Sequence, residues 1–114
     1  MVVKNGEKFH VVVRRGFESD IRRHFVGEVE EFEGSIVRLI GYPIVFDKTK
    51  NVFVKGSHKR TTVMDLAESG YIVNGIPGDV DISELKYKYD SERKLLMTDD
   101  KSYSLDIIEF GIGR

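Results

Sequence analysis

The side chains best suited to acid–base chemistry near neutral pH are three histidines, His10, His24 and His58. A histidine becomes a general base when it lies within hydrogen-bond reach of a group that it can activate. His10 and His24 fall in predicted strands and His58 in a basic loop, and none belongs to a Ser/His/Asp signature. We therefore predict structural or exposed histidines, and we predict that the chain is not an enzyme.

Paired carboxylates and metal-ligand patterns are the next places to look for chemistry. Glu28 and Glu30 have the spacing of one strand face, and a charged outer face explains them better than catalysis does. Asp79, Asp81 and Glu84 resemble a fragment of a calcium loop, but the rest of the twelve-residue pattern is missing. The chain has no cysteine, and its glycines are scattered turn residues with no phosphate-binding loop. We predict no catalytic residue, no metal site and no cofactor.

Basic residues give the best functional lead in the sequence. Four arginines lie at one predicted corner, and a second group forms a loop after residue 54. If the fold brings the two groups together, their charge would suit phosphate backbones, with Phe17, Tyr42 or Phe53 available to stack on bases. The residues of this possible anion or nucleic-acid site are Arg14, Arg15, Arg22, Arg23, Lys55, His58, Lys59 and Arg60.

The charge of the chain comes in blocks, although its net value is only −1. Residues 34–60 carry six basic side chains and one acidic, whereas residues 61–85 carry five acidic and no basic side chains. Such blocks produce either a polar molecule with opposed faces or cross-strand charge pairs on a solvated face. Strand order decides between the two, and the pairing interpretation is the more ordinary one.

Turn signals recur every 8–15 residues or so, and no helical pattern exceeds about two turns, which is typical of an all-β domain. The stretch 22–54 is the longest apolar-rich run. It predicts three consecutive strands that form the central meander of the domain. A bulge near Glu30 and Glu31, or packing of Phe32 on the opposite face, would explain the parity change there. Gly41 and Pro43 predict either one sharply bent strand or two strands at a corner.

The remaining chain predicts shorter elements. Residues 61–66 and 71–74 have the pattern of strands, and residues 87–107 that of a hairpin or three-strand meander. Asp81 and Glu84 have capping-box spacing, with Val80 and Leu85 spaced as a hydrophobic staple. They predict one short helical turn over 82–86. A single turn near Ser19, or an irregular corner, is predicted between the first two strands.

These elements together predict a single domain over residues 1–114. We expect a small, strongly bent antiparallel sheet or partly open barrel, similar in outline to Sm, SH3 and OB barrels. No apolar run approaches the length of a membrane span, and the first residues do not resemble a signal peptide. We therefore expect a cytoplasmic protein.

Function is expected to lie in binding. A short barrel with unpaired edges commonly joins strands with a neighbour. The first expectation is therefore a non-catalytic binding or assembly module that acts through self-association or protein–protein contacts. The alternative is binding of RNA or single-stranded DNA through the basic corner and loop.

Overall fold

The computed structural model describes residues 3–13, 22–68 and 70–107. In these ranges the regular structure consists of nine β-strands and one 3₁₀ turn at Ile82–Glu84. The strands are β1 Lys8–Val13, β2 Arg23–Glu33, β3 Ile36–Asp47, β4 Val52–Lys55, β5 Arg60–Asp65, β6 Tyr71–Ile76, β7 Lys86–Tyr89, β8 Leu95–Thr98 and β9 Ser104–Asp106. The predicted all-β class is confirmed. The predicted turn near Ser19 lies outside the described residues.

Six strands form one antiparallel sheet and three form another. The larger sheet has the order β4-β3-β2-β1-β6, and β5 also pairs with β3. The smaller sheet, β7-β8-β9, is the predicted C-terminal meander. Within the described ranges β5 forms a ladder only with β3, and β6 forms one only with β1. The larger sheet is therefore bent and open, as predicted.

The bend in the larger sheet lies within β3, which is one continuous strand. Its first half pairs with β5 as far as Gly41, and its second half pairs with β4 from Ile44 onward. Pro43 lies at this exchange, and its carbonyl accepts a hydrogen bond from the Gly56 N–H at 2.8 Å. The N–H and C=O of a strand residue point to the same side. The N–H that Pro43 lacks would therefore point toward Gly56, between β4 and β5, so neither strand loses a ladder hydrogen bond.

A β-bulge interrupts the β2–β3 ladder between Val29 and Glu31. The bulge adds a residue to β2, so parity changes and Phe32 pairs with Val37. The first of the two interpretations offered for the Phe32 parity is thus confirmed. The bulge allows one strand to carry buried Val29 and an exposed glutamate segment without losing its partner.

Each face of the larger sheet covers its own hydrophobic cluster. Side chains from β1, β2 and β3 meet half-buried ones from β5 and β6 inside the curl. The inner cluster consists of Val3, Phe9, Val11, Phe25, Val29, Val37 and Leu39. The opposite face packs against the smaller sheet and the 3₁₀ turn. The outer cluster consists of Val26, Ile44, Ile76, Val80, Ile82, Leu85, Leu95, Met97 and Ile107.

The predicted helical turn is present but short. The Asp81 carboxylate caps it, accepting hydrogen bonds from the Ser83 N–H at 2.9 Å and the Ser83 hydroxyl at 2.7 Å. Glu84 does not close a capping box, because its carboxylate accepts from the Lys101 ammonium at 2.7 and 2.9 Å. Leu85 is already extended, so the turn ends where β7 begins, and Val80 and Leu85 are both buried in the outer cluster.

Two glycines set how closely β2 and β3 approach. Gly27 and Gly41 lie directly opposite each other. A Cβ on Gly41 would overlap the Val26 carbonyl oxygen and lie 2.5 Å from the Gly27 Cα. The two backbones are therefore in direct contact at this pair of glycines, beside the bend.

We expect Gly41→Ala to lower the free energy of unfolding by about 3 kcal/mol or more, because backbone atoms would have to move apart. Gly75→Ala is the matched control. Gly75 also lies in a strand, but no atom lies within 4 Å of the point that its Cβ would occupy. The control should change stability by less than about 1 kcal/mol. Urea unfolding measures both, and equal losses would contradict the close-approach explanation.

Candidate interaction surface

The predicted basic corner is only partly described. Arg14 and Arg15 lie outside the described residues. Arg22 immediately precedes β2, and its guanidinium carbon lies 5.1 Å from the centroid of the Phe46 ring. Arg23 is the exposed first residue of β2. Arg22 thus stacks on an aromatic side chain of the sheet, as arginine commonly does.

Lys55 has a structural role. Its ammonium donates to the carbonyls of Ile82 at 2.8 Å, Ser83 at 3.1 Å and Leu85 at 2.6 Å. The same ammonium lies 4.6 Å from the centroid of the Tyr42 ring. Burial lowers the pKa of Lys55, and the Asp81 carboxylate opposes that shift. Lys55 therefore fastens the 3₁₀ turn to the larger sheet and has its donors committed there.

The remaining predicted residues, His58, Lys59 and Arg60, are exposed where the chain enters β5. Lys59 borders a groove of about 480 Å³ in which acidic side chains outnumber basic ones. The groove is lined by Lys8, Glu28, Glu30, Ile40, Lys59, Asp79, Asp81 and Ile82. Opposite charge blocks are therefore interleaved around Lys59. Binding of nucleic acid by the predicted basic residues stays a prediction.

We expect Lys55→Met to lower the free energy of unfolding by about 1.5–3 kcal/mol, because three carbonyls lose a charged donor. Lys59→Met provides the control, since Lys59 is exposed and carries the same charge. Its effect should stay within about 0.5 kcal/mol. Thermal unfolding of both variants measures the two losses of stability. Equal losses would show that Lys55 is an ordinary surface cation.

His10 and His24 join a buried chain of hydrogen bonds with Tyr87 and Asn74. The His10 Nε2 lies 2.7 Å from the Tyr87 hydroxyl, which also hydrogen-bonds to the His24 Nδ1. The Asn74 amide nitrogen lies 3.2 Å from the His10 Nδ1. An amide nitrogen only donates, so Asn74 fixes His10 as the Nε2–H tautomer. His10 then donates to Tyr87, and Tyr87 donates to His24.

This direction of donation requires both imidazoles to be neutral. A proton on the His10 Nδ1 would face the amide donor, and one on the His24 Nδ1 would face the tyrosine donor. Burial, reinforced by His24, lowers the pKa of His10 to about 3. Burial, reinforced by Arg22, lowers the pKa of His24 to about 4. Burial also raises the pKa of Tyr87, so all three rings stay uncharged at neutral pH.

Acidification should therefore destabilise the fold through these histidines. At pH 7 both are neutral in the folded chain and mainly neutral in the unfolded chain, where the ordinary histidine pKa is about 6.5. Below pH 6.5 the unfolded chain binds protons that the folded chain excludes, until pH reaches the folded pKa values of about 4 and about 3. Each histidine should lower the free energy of unfolding by up to about 1.4 kcal/mol per pH unit in that window.

Denaturant unfolding between pH 7 and pH 4 measures this dependence. The comparison is with His10→Gln and His24→Gln, which remove the titrating rings, and each variant is compared with its own stability at pH 7. The slope between pH 6.5 and pH 5 should be smaller in both variants than in the parent. An unchanged slope in both would show that carboxylates alone cause the acid sensitivity.

Three of the acidic candidates, Glu30, Asp81 and Glu84, have structural partners. The Arg38 guanidinium lies 2.9 Å from the Glu31 carboxylate and 3.6 Å from that of Glu30. Of the calcium-loop candidates Asp79, Asp81 and Glu84, Asp81 caps the 3₁₀ turn and Glu84 accepts from Lys101. Among the described residues no group of three or more His, Asp and Glu side chains is placed to hold a metal ion.

A group of exposed apolar side chains lies at the far end of β2, β3 and β5. Val63 is 60% exposed and Ile36 is 50% exposed. Val63 pairs with Arg38 and Ile36 pairs with Asp65, so the two apolar side chains share one sheet face. Phe32, 38% exposed, joins them in lining a shallow groove of about 140 Å³. We call Phe32, Ile36, Val63 and the bordering Glu31, Glu33 and Arg38 the β5 patch.

The edge of β5 beside this patch has free backbone groups. The Leu66 N–H donates to the Ser35 carbonyl at 2.8 Å, which extends the β3–β5 ladder by one pair. Hydrogen-bonded and non-hydrogen-bonded pairs alternate along an antiparallel ladder. Thr61, Val63 and Asp65 therefore direct their N–H and C=O groups away from β3. The Asp65 carbonyl accepts from Glu68, and no ladder of the described residues uses the remaining groups.

Sequence reasoning predicted a strand at residues 61–66 but assigned it no surface role. The sequence shows alternation around Val63, and alternation alone does not identify which neighbour is missing. Only the pairing of β5 with β3 on one side, and with nothing described on the other, distinguishes this valine from a core residue.

Comparisons with known proteins give no family for the chain. No protein-family model matches it, and searches of curated proteins and of solved structures found no significant match. Over the described residues, no helix has the length and apolar character needed to cross a membrane.

Proposed function

We propose that this chain is a small, non-catalytic binding or assembly module that acts by self-association or protein–protein contact through the β5 edge. The observation that carries the proposal is the coincidence of free backbone groups with exposed Val63 and Ile36 on one strand edge. An exposed edge provides hydrogen bonds to an incoming strand, and the apolar side chains add area that binding removes from water.

The edge lacks the usual features that prevent strand addition. Natural sheets protect exposed edges with lysine, proline or a bulge. The centre of β5, residues 61–64, has none of these and carries no charge. The β-bulge of this sheet lies on β2 instead. The absence of these protective features favours an edge that binds a partner strand.

Charge around the patch also favours a protein partner. Arg38 lies among Glu30, Glu31 and Glu33, so both signs border the apolar centre. A mixed rim around an apolar centre is typical of protein–protein interfaces. A nucleic-acid surface would need a basic stripe. Of the predicted basic residues, Lys55 is committed to carbonyls and Lys59 borders an acidic groove.

Size-exclusion chromatography with light scattering tests the proposal over a wide range of protein concentration. We expect the parent chain to form a dimer or larger species, and Val63→Lys to weaken that association at least about tenfold, because buried like charges would oppose it. Val54→Lys is the matched control, since Val54 is a 46% exposed valine on β4, the other strand that pairs with this side of β3. It should leave the association unchanged.

A strict monomer at the highest concentration would contradict self-association, and equal effects of both variants would contradict the β5 edge. A salt-sensitive complex with single-stranded RNA that Lys59→Ala and Arg60→Ala abolish, but Val63→Lys does not, would favour the nucleic-acid alternative.

A further inference from the structure

The β5 edge determines which partner and which register fit it best. We propose that the partner is a second copy of this chain, joined by antiparallel β5–β5 pairing about a twofold axis at Val63. This inference rests on the proposed function and specifies it. It follows from three observations: the direction of the free backbone groups, the exposed side chains and the charge at the two ends of β5.

Backbone geometry fixes which residues can pair. Thr61, Val63 and Asp65 direct their groups outward, so a partner strand must present outward-directed residues opposite them. A twofold axis perpendicular to the sheet places Val63 opposite Val63 of the second copy, and Thr61 opposite Asp65. The two Val63 residues then exchange both hydrogen bonds. Each Asp65 N–H donates to the Thr61 carbonyl of the other copy.

Side chains on the exposed face agree with this register. The two Val63 side chains, each 60% exposed in the single chain, would face each other as a cross-strand apolar pair. Ile36 lies on the same face beside each Val63 and would extend the covered surface. Thr61 of one copy would place its hydroxyl near the Asp65 carboxylate of the other, whose Oδ1 already accepts from the Ser35 hydroxyl.

Charge at the two ends of β5 is self-complementary. Lys59 and Arg60 lie at the beginning of the strand, and Asp65 lies at its end. Antiparallel pairing places the beginning of one strand beside the end of the other. Opposite charges therefore approach at both ends of the interface, whereas a parallel arrangement would bring like charges together.

The register makes a prediction that single cysteines can test, because the natural chain has no cysteine. Paired Val63 residues would have Cα atoms about 5.5 Å apart, within the range that a disulfide spans. Val63→Cys should therefore form a covalent dimer on mild oxidation. Thr61→Cys and Asp65→Cys should not do so alone, since each lies roughly 13 Å along the strands from its own copy. A mixture of the two variants should cross-link.

Val54→Cys, an exposed valine on β4, controls for random collision and should give no covalent dimer. Equal cross-linking of Thr61→Cys and Val63→Cys would place the axis at Thr62 and overturn the register. A dimer that Val63→Lys weakens, yet that Val63→Cys cannot cross-link, would overturn β5–β5 pairing while leaving the proposed function in place. A chain that stays monomeric under all conditions would overturn both.

Discussion

The close contact between β2 and β3 at Gly27 and Gly41 is the constraint on which the larger sheet depends. Backbone atoms occupy the space that a side chain would need, so the two strands lie close together where β3 bends. Beyond this point β3 exchanges its outer partner, β5 for β4. The two halves of β3 therefore run in different directions. This bend gives the larger sheet a concave inner face and a separate outer face.

The hydrophobic residues on the two faces of the larger sheet have different roles. The inner cluster stabilises the curl itself, and the outer cluster attaches the C-terminal sheet and the 3₁₀ turn. Lys55 and the chain of hydrogen bonds through Tyr87 lie at the second of these contacts, where polar groups must find partners as they leave water. On the outer face the C-terminal sheet covers the half of β3 near Ile44, whereas Ile36 in the other half stays exposed.

Much of this architecture could be predicted because its causes are local. Pro43 and Gly41 mark the bend, the parity of Phe32 marks the bulge, and Asp81 with Val80 marks the capped turn. The limits of prediction are equally physical. Alternation places His10 and His24 on a strand face, but the residues that meet them, Tyr87 and Asn74, are distant in sequence. Lys55 belongs to a basic loop by sequence, and only the fold places the carbonyls of residues 82–85 beside it.

The directional chain from Asn74 through His10 and Tyr87 to His24 has a consequence for the evolution of this fold. Its members lie on four different strands, β6, β1, β7 and β2. Each hydrogen bond between them can run in only one direction. Replacing one member by a residue of opposite hydrogen-bonding character leaves the next without a partner. Among related chains these four positions should therefore change as a group, or be replaced together by apolar side chains of similar volume.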